Sequence, residues 1–352
     1  MAGMTVVFPG ALASLQDKGR SGLRRAGVPL SGALEPAWLR LANALAGNAE
    51  KGPAIEFFGG GLQLKAEEVP VLLGLAGFFT ADVIGRDGSR RSVTSWRSLV
   101  LAPGEQLRCG MTTQGRLAYV AVSGLQAPRL LGSASTYARA GIGRLLAAGD
   151  RLEVAAAAAV PAQGLAILPE YDTLPVRVVL GPQADYFDEA ALAMFAANEY
   201  RVTAESDRMG MRLDGPPLSH RPDKGVEIIS DATVPGSIQV PGNGKPIVLL
   251  NDGQTAGGYP KIATVISADL PRIAVLSAGQ SVRFRVVGVD EAEQAARARE
   301  AAIRQQIASI STVFEAGQID LEAIYAANLV SGIVDAQAEE VRPLLMNVCH
   351  AQ

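Results

Sequence analysis

The chain has 352 residues, 48% of them hydrophobic and 19% charged, enough to bury a core in two domains and too apolar for general disorder. Its 32 basic and 35 acidic residues leave a formal net charge of −3, so no whole-chain basic field points to nucleic acid, and no uninterrupted apolar run approaches the about 20 residues of a membrane helix. Cys109 and Cys349 lie far apart, with only His220 and His350 to help them, a set without zinc-ligand spacing, so no metal site is expected.

Residues 1–10, MAGMTVVFPG, have neither a basic n-region nor an h-region with a cleavage site, so the expected location is cytoplasmic. Residues 4–8 form a short β-type run ending at Pro9-Gly10. A glycine-punctuated loop follows, in which Gln16, Asp17 and Arg20 crowd ahead of a helix. That helix starts over residues 31–35, tolerates Pro36 at an early position, places Trp38, Leu41, Ala42 and Leu45 at helical spacing, and ends at Gly47-Asn48.

Residues 54–122 change to short apolar or alternating runs separated by turns, among them AIEFF, LQLKA, ADVIG and RLAYVAVSG, the pattern of a sandwich or barrel. Glu56 interrupts one of these runs. On a half-buried strand the outward-facing position is preferred for it over a buried, paired carboxylate. Residues 86–97, RDGSRRSVTSWR, read as a solvated hairpin, and RAGIGRLLAAGD lacks the spacing and βαβ context of a phosphate loop and reads as a turn into a strand over 151–154.

An alanine run and Pro161 form a linker, with a domain boundary expected between Ala155 and Pro175. VRVVLG then starts a second β-rich unit, with a helix over DEAALAMFAAN. AGQSVR near its end echoes PGEQLR in the first unit, so two related β domains are expected, 1–160 and 161–289. Residues 290–352 differ in kind. One helix carries Ile303, Ile307, Ile310 and Phe314 as an apolar stripe, and a second, IDLEAIYAANLVSGIV, carries Leu321, Ile324, Tyr325 and Leu329. Such a helical tail must bury its stripe on a partner, a sister subunit or its own barrels.

The densest chemistry lies over residues 207–261. Asp207, Arg208 and Arg212, then Gln239, then Asp252, Gln254, Thr255, Tyr259 and Lys261 stand on a glycine-rich frame that includes Gly257 and Gly258. Glycine lets a backbone turn sharply and approach a ligand closely, and the KPIVLLN strand over 245–251 lifts the last loop out of the core. Arg208 beside Asp207 or Asp214 also reads as an ordinary ion pair.

These blocks, SLQDKGRSGLRRAGVPLSGAL, LANALAGN, AIEFFGGG, RAGIGRLLAAGD, VLGPQADYF, SDRMGMRL and GSIQVPGNGKPIVLLNDGQTAGGYPKIATV, resemble in the same order the biotin-dependent carboxyltransferase-like family, also called allophanate hydrolase subunit 2, which includes the C-type subunit of 5-oxoprolinase. The resemblance implies a mainly β protein with helices, built as two cyclophilin-like β-barrel domains. It also implies companion subunits of the B type and A type in an ATP-dependent complex that opens 5-oxo-L-proline to L-glutamate. The alternatives are a carboxyltransferase component acting on urea or another small amide with biotin, and a regulator that binds a kinase-inhibitor-like partner. The chain shows neither a Walker-type loop nor a Met-Lys-Met biotin-attachment sequence, so ATP and biotin are expected on other polypeptides.

Both reactions work on an unreactive amide and require charge stabilisation on oxygen and proton movement at nitrogen. The electrostatic candidates are Arg208, Arg212 and Lys261, expected in one cleft. The proton-handling candidates are Asp17 and Tyr259. Gln16 and Gln239 are the amide-recognising candidates, and Arg20, Ser31, Asp207, Gln254, Thr255, Gly257 and Gly258 complete the expected binding set. Neither a Ser-His-Asp nor a Cys-His set is evident.

Overall fold

The computed structural model describes residues 3–156, 161–170 and 174–313. The expectation of a second tail helix falls outside the described residues. Among them, no helix is long and apolar enough to cross a membrane.

The first half packs two antiparallel sheets face to face. One runs in the order Arg151–Glu153, Gly3–Pro9, Leu62–Ala66, Gln106–Cys109, Thr80–Ile84, Arg90–Thr94. The other orders Leu12–Gln16, Ala54–Phe58, Gln114–Val122, Val71–Phe78 and Arg97–Leu101, and then takes in Gln163–Leu165 and Ile310–Thr312 at its edge. Alternation along each strand sends Val6, Ile55, Phe57, Leu64, Leu73, Val83, Leu107 and Val120 into one apolar layer between the sheets. The arginine-rich segment is a hairpin, as read from sequence, with Asp82 facing Ser92.

Helix α1 (Pro36–Leu45) starts where the Glu35 side chain accepts from the Ala37 amide at 2.9 Å, with Pro36 in the first turn. It is buried on nearly every face because it lies between the second sheet and the rest of the molecule. The backbone approach is close enough to require glycine: a Cβ on Gly74 would stand 2.0 Å from the Ala42 carbonyl oxygen. Trp38, Phe78 and Trp96 meet edge to face at 5.3–5.6 Å.

The second half is a closed seven-stranded barrel, Val176–Leu180, Lys261–Val265, Ser237–Gln239, Ile247–Leu249, Gly210–Asp214, Glu199–Val202 and Ser281–Val286. A parallel pairing, Val176 with Phe284, closes the ring. Helix α2 (Glu189–Ala197) and helix α3 (Leu270–Ala274) flank it. Its interior residues, including Val178, Met211, Ile238, Val248, Ile262 and Phe284, belong to the same apolar cluster as Trp38 and Leu41 of α1. The two halves therefore share a core.

Helix α4 (Val289–Ala308) takes the last of the three burials open to the tail's apolar stripe, on the chain's own body. Ile303 and Ile307 pack into the main core. Arg40 of α1 binds Glu300 at 2.6 Å and Arg299 binds Glu35 at 2.7 Å, so the helix docks on its own body. Ile310 then opens a strand rather than continuing the helix, pairing with Leu165.

Candidate functional site

The Asp207 carboxylate accepts the Met209 amide at 2.8 Å and the Gly210 amide at 3.3 Å. This tight turn throws Arg208 inward just before the barrel strand begins. Arg208 donates from Nε to Asp252 at 2.9 Å, to the Gly32 carbonyl at 2.7 Å, and to Glu56. Glu56 also accepts from the Leu34 amide at 2.9 Å and from the Tyr119 hydroxyl. The preferred outward position for Glu56 is thus corrected: it is fully buried, because a cation from the other half of the chain arrives to meet it. Burial alone lowers an arginine, but Glu56 and Asp252 outweigh it and hold Arg208 charged above its ordinary range. Burial raises Asp252 despite the arginine, and burial followed by the Glu56 charge raises Tyr119. Ser31 sits at the same crossing with φ 52°, and its amide donates to the Asn251 carbonyl at 2.8 Å.

Asp17 lies in a second buried network, in the first half. It accepts from Gly19 at 2.8 Å, Ala134 at 2.9 Å, the Ser133 hydroxyl at 2.5 Å and the Ser135 hydroxyl at 2.6 Å. Burial pushes its pKa up, yet these four donors win and hold the carboxyl below its usual range. Arg20 donates to the carbonyls of Leu130 and Ser135, and Gln16 to Ser14 at 3.0 Å and to the Thr136 carbonyl at 3.2 Å. Together they grip the turn over residues 130–136.

The open chemistry lies elsewhere. A cavity of about 300 Å³ is bordered by Asp207, Arg212, Gln239, Gln254 and Tyr259, and also by Arg139 and Glu205. A second cavity of about 520 Å³ shares Glu205, Arg212 and Tyr259 with it and continues to Thr203, Asn243 and Lys245. Gln254 donates to Gln239 at 2.9 Å, and Gln239 reaches the Tyr259 carbonyl at 3.5 Å. Arg139, from the first half, crosses to Asp207 at 2.8 Å, while Arg212 stands 3.6 Å from Glu205. Gly257 has a visible reason: a Cβ there would stand 2.5 Å from the Gln239 amide nitrogen.

Lys261 does not border this cavity. It is 2% exposed and binds Asp231 at 2.8 Å, a partner that Gln183 also reaches at 3.2 Å. The lysine holds the Asp231 carboxyl below its usual range. Thr255 and Gly258 serve by backbone: their carbonyls accept the amides of Thr233 and Ile228 at 3.1 and 2.8 Å, fastening the loop over 228–233. The expected common cleft for Arg208, Arg212 and Lys261 is therefore corrected, since only Arg212 reaches the cavity and the other two are buried against acids distant in sequence. Sequence reasoning missed Arg139, Glu205 and Asp231. The one available signal was the RAGIGR block, which read as a turn.

The barrel of this mainly β body presents amide and guanidinium groups at a cleft. Residues 26–286 match the family described as carboxyltransferase domain, subdomain A and B, and the chain belongs to that family. It is 35% identical to the C-type subunit of 5-oxoprolinase from Escherichia coli strain K12 over 302 residues, 83% of this chain and 94% of that protein. It is 36% identical to the corresponding 5-oxoprolinase subunit of Haemophilus influenzae over 294 residues, 82% of this chain and 92% of that protein. The crystal structure of the K. lactis urea amidolyase superposes with a TM-score of 0.78 at 27% identity, over 89% of this chain but only 21% of that much longer one.

Proposed function

We propose that the chain is the C-type subunit of an ATP-dependent 5-oxoprolinase, opening 5-oxo-L-proline to L-glutamate together with B-type and A-type companion subunits. The observation that supports this most is the Gln239–Gln254 pair at the cavity floor, joined by one hydrogen bond. Whichever way the two amides are turned, the pair keeps a donor and an acceptor for a ligand, and a lactam offers the complementary N–H and C=O on one edge. Near-complete coverage of the two 5-oxoprolinase relatives supports the same reading.

In this reading Arg212 borders the carbonyl oxygen as charge develops, and Tyr259, a residue bordering both cavities, handles the proton at nitrogen through its hydroxyl. Asp17 and Arg208 shape the site from buried positions. ATP acts as co-substrate of the complex. The RAGIGR turn does not fit a triphosphate, because its amides are spent internally: Gly141 donates to Ala138 at 3.1 Å and Ile142 to Tyr137 at 3.2 Å.

The likeness to urea amidolyase favours a second reading, a carboxyltransferase component acting on urea or another small amide with biotin. The amide pair would fit the ureido edge of biotin as well as a lactam. Reconstitution decides between them. The chain with its companion subunits and ATP should release glutamate from 5-oxoproline, and the chain alone should turn over neither substrate. Carboxylation of urea by a biotin-carrying assembly, without glutamate release, would establish the second reading.

A further inference from the structure

Resting on the 5-oxoprolinase reading, we infer that the cavity selects amides that carry a carboxylate, and that Arg139 is the residue that recognises the carboxylate. Two guanidinium groups border a floor of neutral amides. Each faces an acid, but neither pair is built to last: the side chains of Arg139 and Asp207 are 65% and 46% exposed, and those of Arg212 and Glu205 are 54% and 79% exposed at 3.6 Å. Exposed pairs contribute little and exchange partners readily. Arg139 meets Asp207 through one contact, and a planar guanidinium that gives up a single contact is suited to taking a ligand carboxylate in bidentate geometry.

Asp207 does not depend on Arg139. Its Oδ1 holds the Met209 and Gly210 amides, while Oδ2 faces Arg139. The Arg116 guanidinium also lies close, donating to the Asp207 and Ser206 carbonyls at 3.3 Å. When a ligand takes Arg139, Asp207 therefore keeps its turn and nearby positive charge. Arg139 also comes from the first half of the chain, on the Ala138–Ala140 3-10 turn, whereas the amide floor belongs to the barrel. A ligand held by both would bridge the two halves. Urea and other uncharged amides offer this arginine a carbonyl but no carboxylate, the stronger and bidentate acceptor, so the arrangement favours 5-oxoproline, a lactam with a carboxylate on the carbon next to nitrogen.

The test is calorimetric titration of the full chain, and of the chain assembled with its companion subunits, with 5-oxo-L-proline and with pyrrolidin-2-one, the same lactam without the carboxylate. The expected preference for 5-oxoproline is roughly 10- to 100-fold, the range of a hydrogen bond to a charged group. Arg139→Gln should bring that ratio toward one. Asp207→Asn, which keeps Oδ1 for the turn and removes the competing charge, should tighten 5-oxoproline. Equal affinity for the two lactams in the wild type overturns the inference and leaves the 5-oxoprolinase reading standing, as does a ratio that survives Arg139→Gln. Failure of both lactams to bind either preparation overturns that reading, and the inference with it.

Discussion

Arg208 and Arg212 stand on one short stretch of chain, and the fold sends them to opposite environments. Arg208, in the turn before the barrel strand, is 10% exposed at its side chain and enclosed by Glu56 and Asp252; Arg212, on the outward face of that strand, is 54% exposed and only loosely opposed by Glu205. The first guanidinium has exchanged water for two carboxylates and a carbonyl, so its charge is committed to holding the two halves together. The second has committed nothing and is available to a ligand. Residue type is the same in both places, and burial separates joint from site.

The sharpest way to break the comparison is to remove the buried cation. Arg208→Met leaves Glu56 and Asp252 facing each other without a counter-charge and should cost about 3–5 kcal/mol of stability, read as a lowered denaturation midpoint. Tyr119→Phe is the milder version. It removes a buried hydrogen bond to Glu56 and should cost about 1–2 kcal/mol, with glutamate release per folded complex unchanged. Wild-type melting with lost turnover in both variants would move Arg208 from joint to site.

Acid separates the carboxylates by sign. Asp17 and Glu300 have folded pKa values below their ordinary ones, Glu300 at about 2 through its hydrogen bonds to Arg40 and Arg304. For such groups the unfolded state binds more protons in the window between the two values. Their stabilisation is present above the ordinary carboxylate range and lost as pH falls through the folded value. Asp252 has the opposite sign. Its raised folded pKa means that protonation at low pH favours the folded state, so its own contribution grows as pH falls. Stability should therefore decline from about pH 4.5 toward pH 2, and Glu300→Gln should flatten the decline. A decline of wild-type steepness in that variant would remove Glu300 from the account.

The cavity floor offers a more local break. In Gly257→Ala the new methyl would meet the Gln239 amide nitrogen at 2.5 Å, so the Gln239 amide must shift and its bond to Gln254 is disturbed. The far ends of two glutamines can move, so stability should fall by only about 1 kcal/mol or less, while affinity for a lactam falls about tenfold or more. Calorimetry beside a melting curve separates the two effects, and unchanged lactam affinity would show that the pair is not the amide-reading element.

How much of this was legible in the sequence follows the range of the interactions involved. Helix α1 was readable because its cap, early proline and apolar spacing all lie within one segment, and the β-rich halves were readable from the short strand-and-turn rhythm. Asp207, Arg212, Gln239, Gln254 and Tyr259, which border the cavity, stood out because glycine-rich polar loops concentrate such groups. Glu56 was misplaced because its partner Arg208 is remote in sequence and only the assembled fold brings it near. Lys261 has no acid beside it in sequence for the same reason: Asp231 reaches it from a loop anchored by pairing of Asp231–Ala232 with Ala256–Gly257. The only local mark on Arg139 was the RAGIGR block, which read as a turn. The role proposed for it depends on a turn of the first half lying beside a cavity of the second.

The smallest expected effect completes the contrast. Arg139→Gln removes an ion pair of the same chemical type as the one lost in Arg208→Met, with a comparable contact of 2.8 Å. Its partners are largely in water, where Coulomb attraction is screened and fixing two long side chains costs entropy. The change in stability should be about 0.5 kcal/mol or less, smaller still in high salt. Asp207 remains satisfied by the Met209 and Gly210 amides, so no charge is stranded in an apolar place, the condition that makes the loss of Arg208 expensive. Paired urea denaturations of the two variants at low and high salt test the contrast directly. If Arg139→Gln destabilised the protein as much as Arg208→Met, the exposed pair would be a second joint between the halves, and exposure would no longer distinguish the groups that hold this fold from those free to bind.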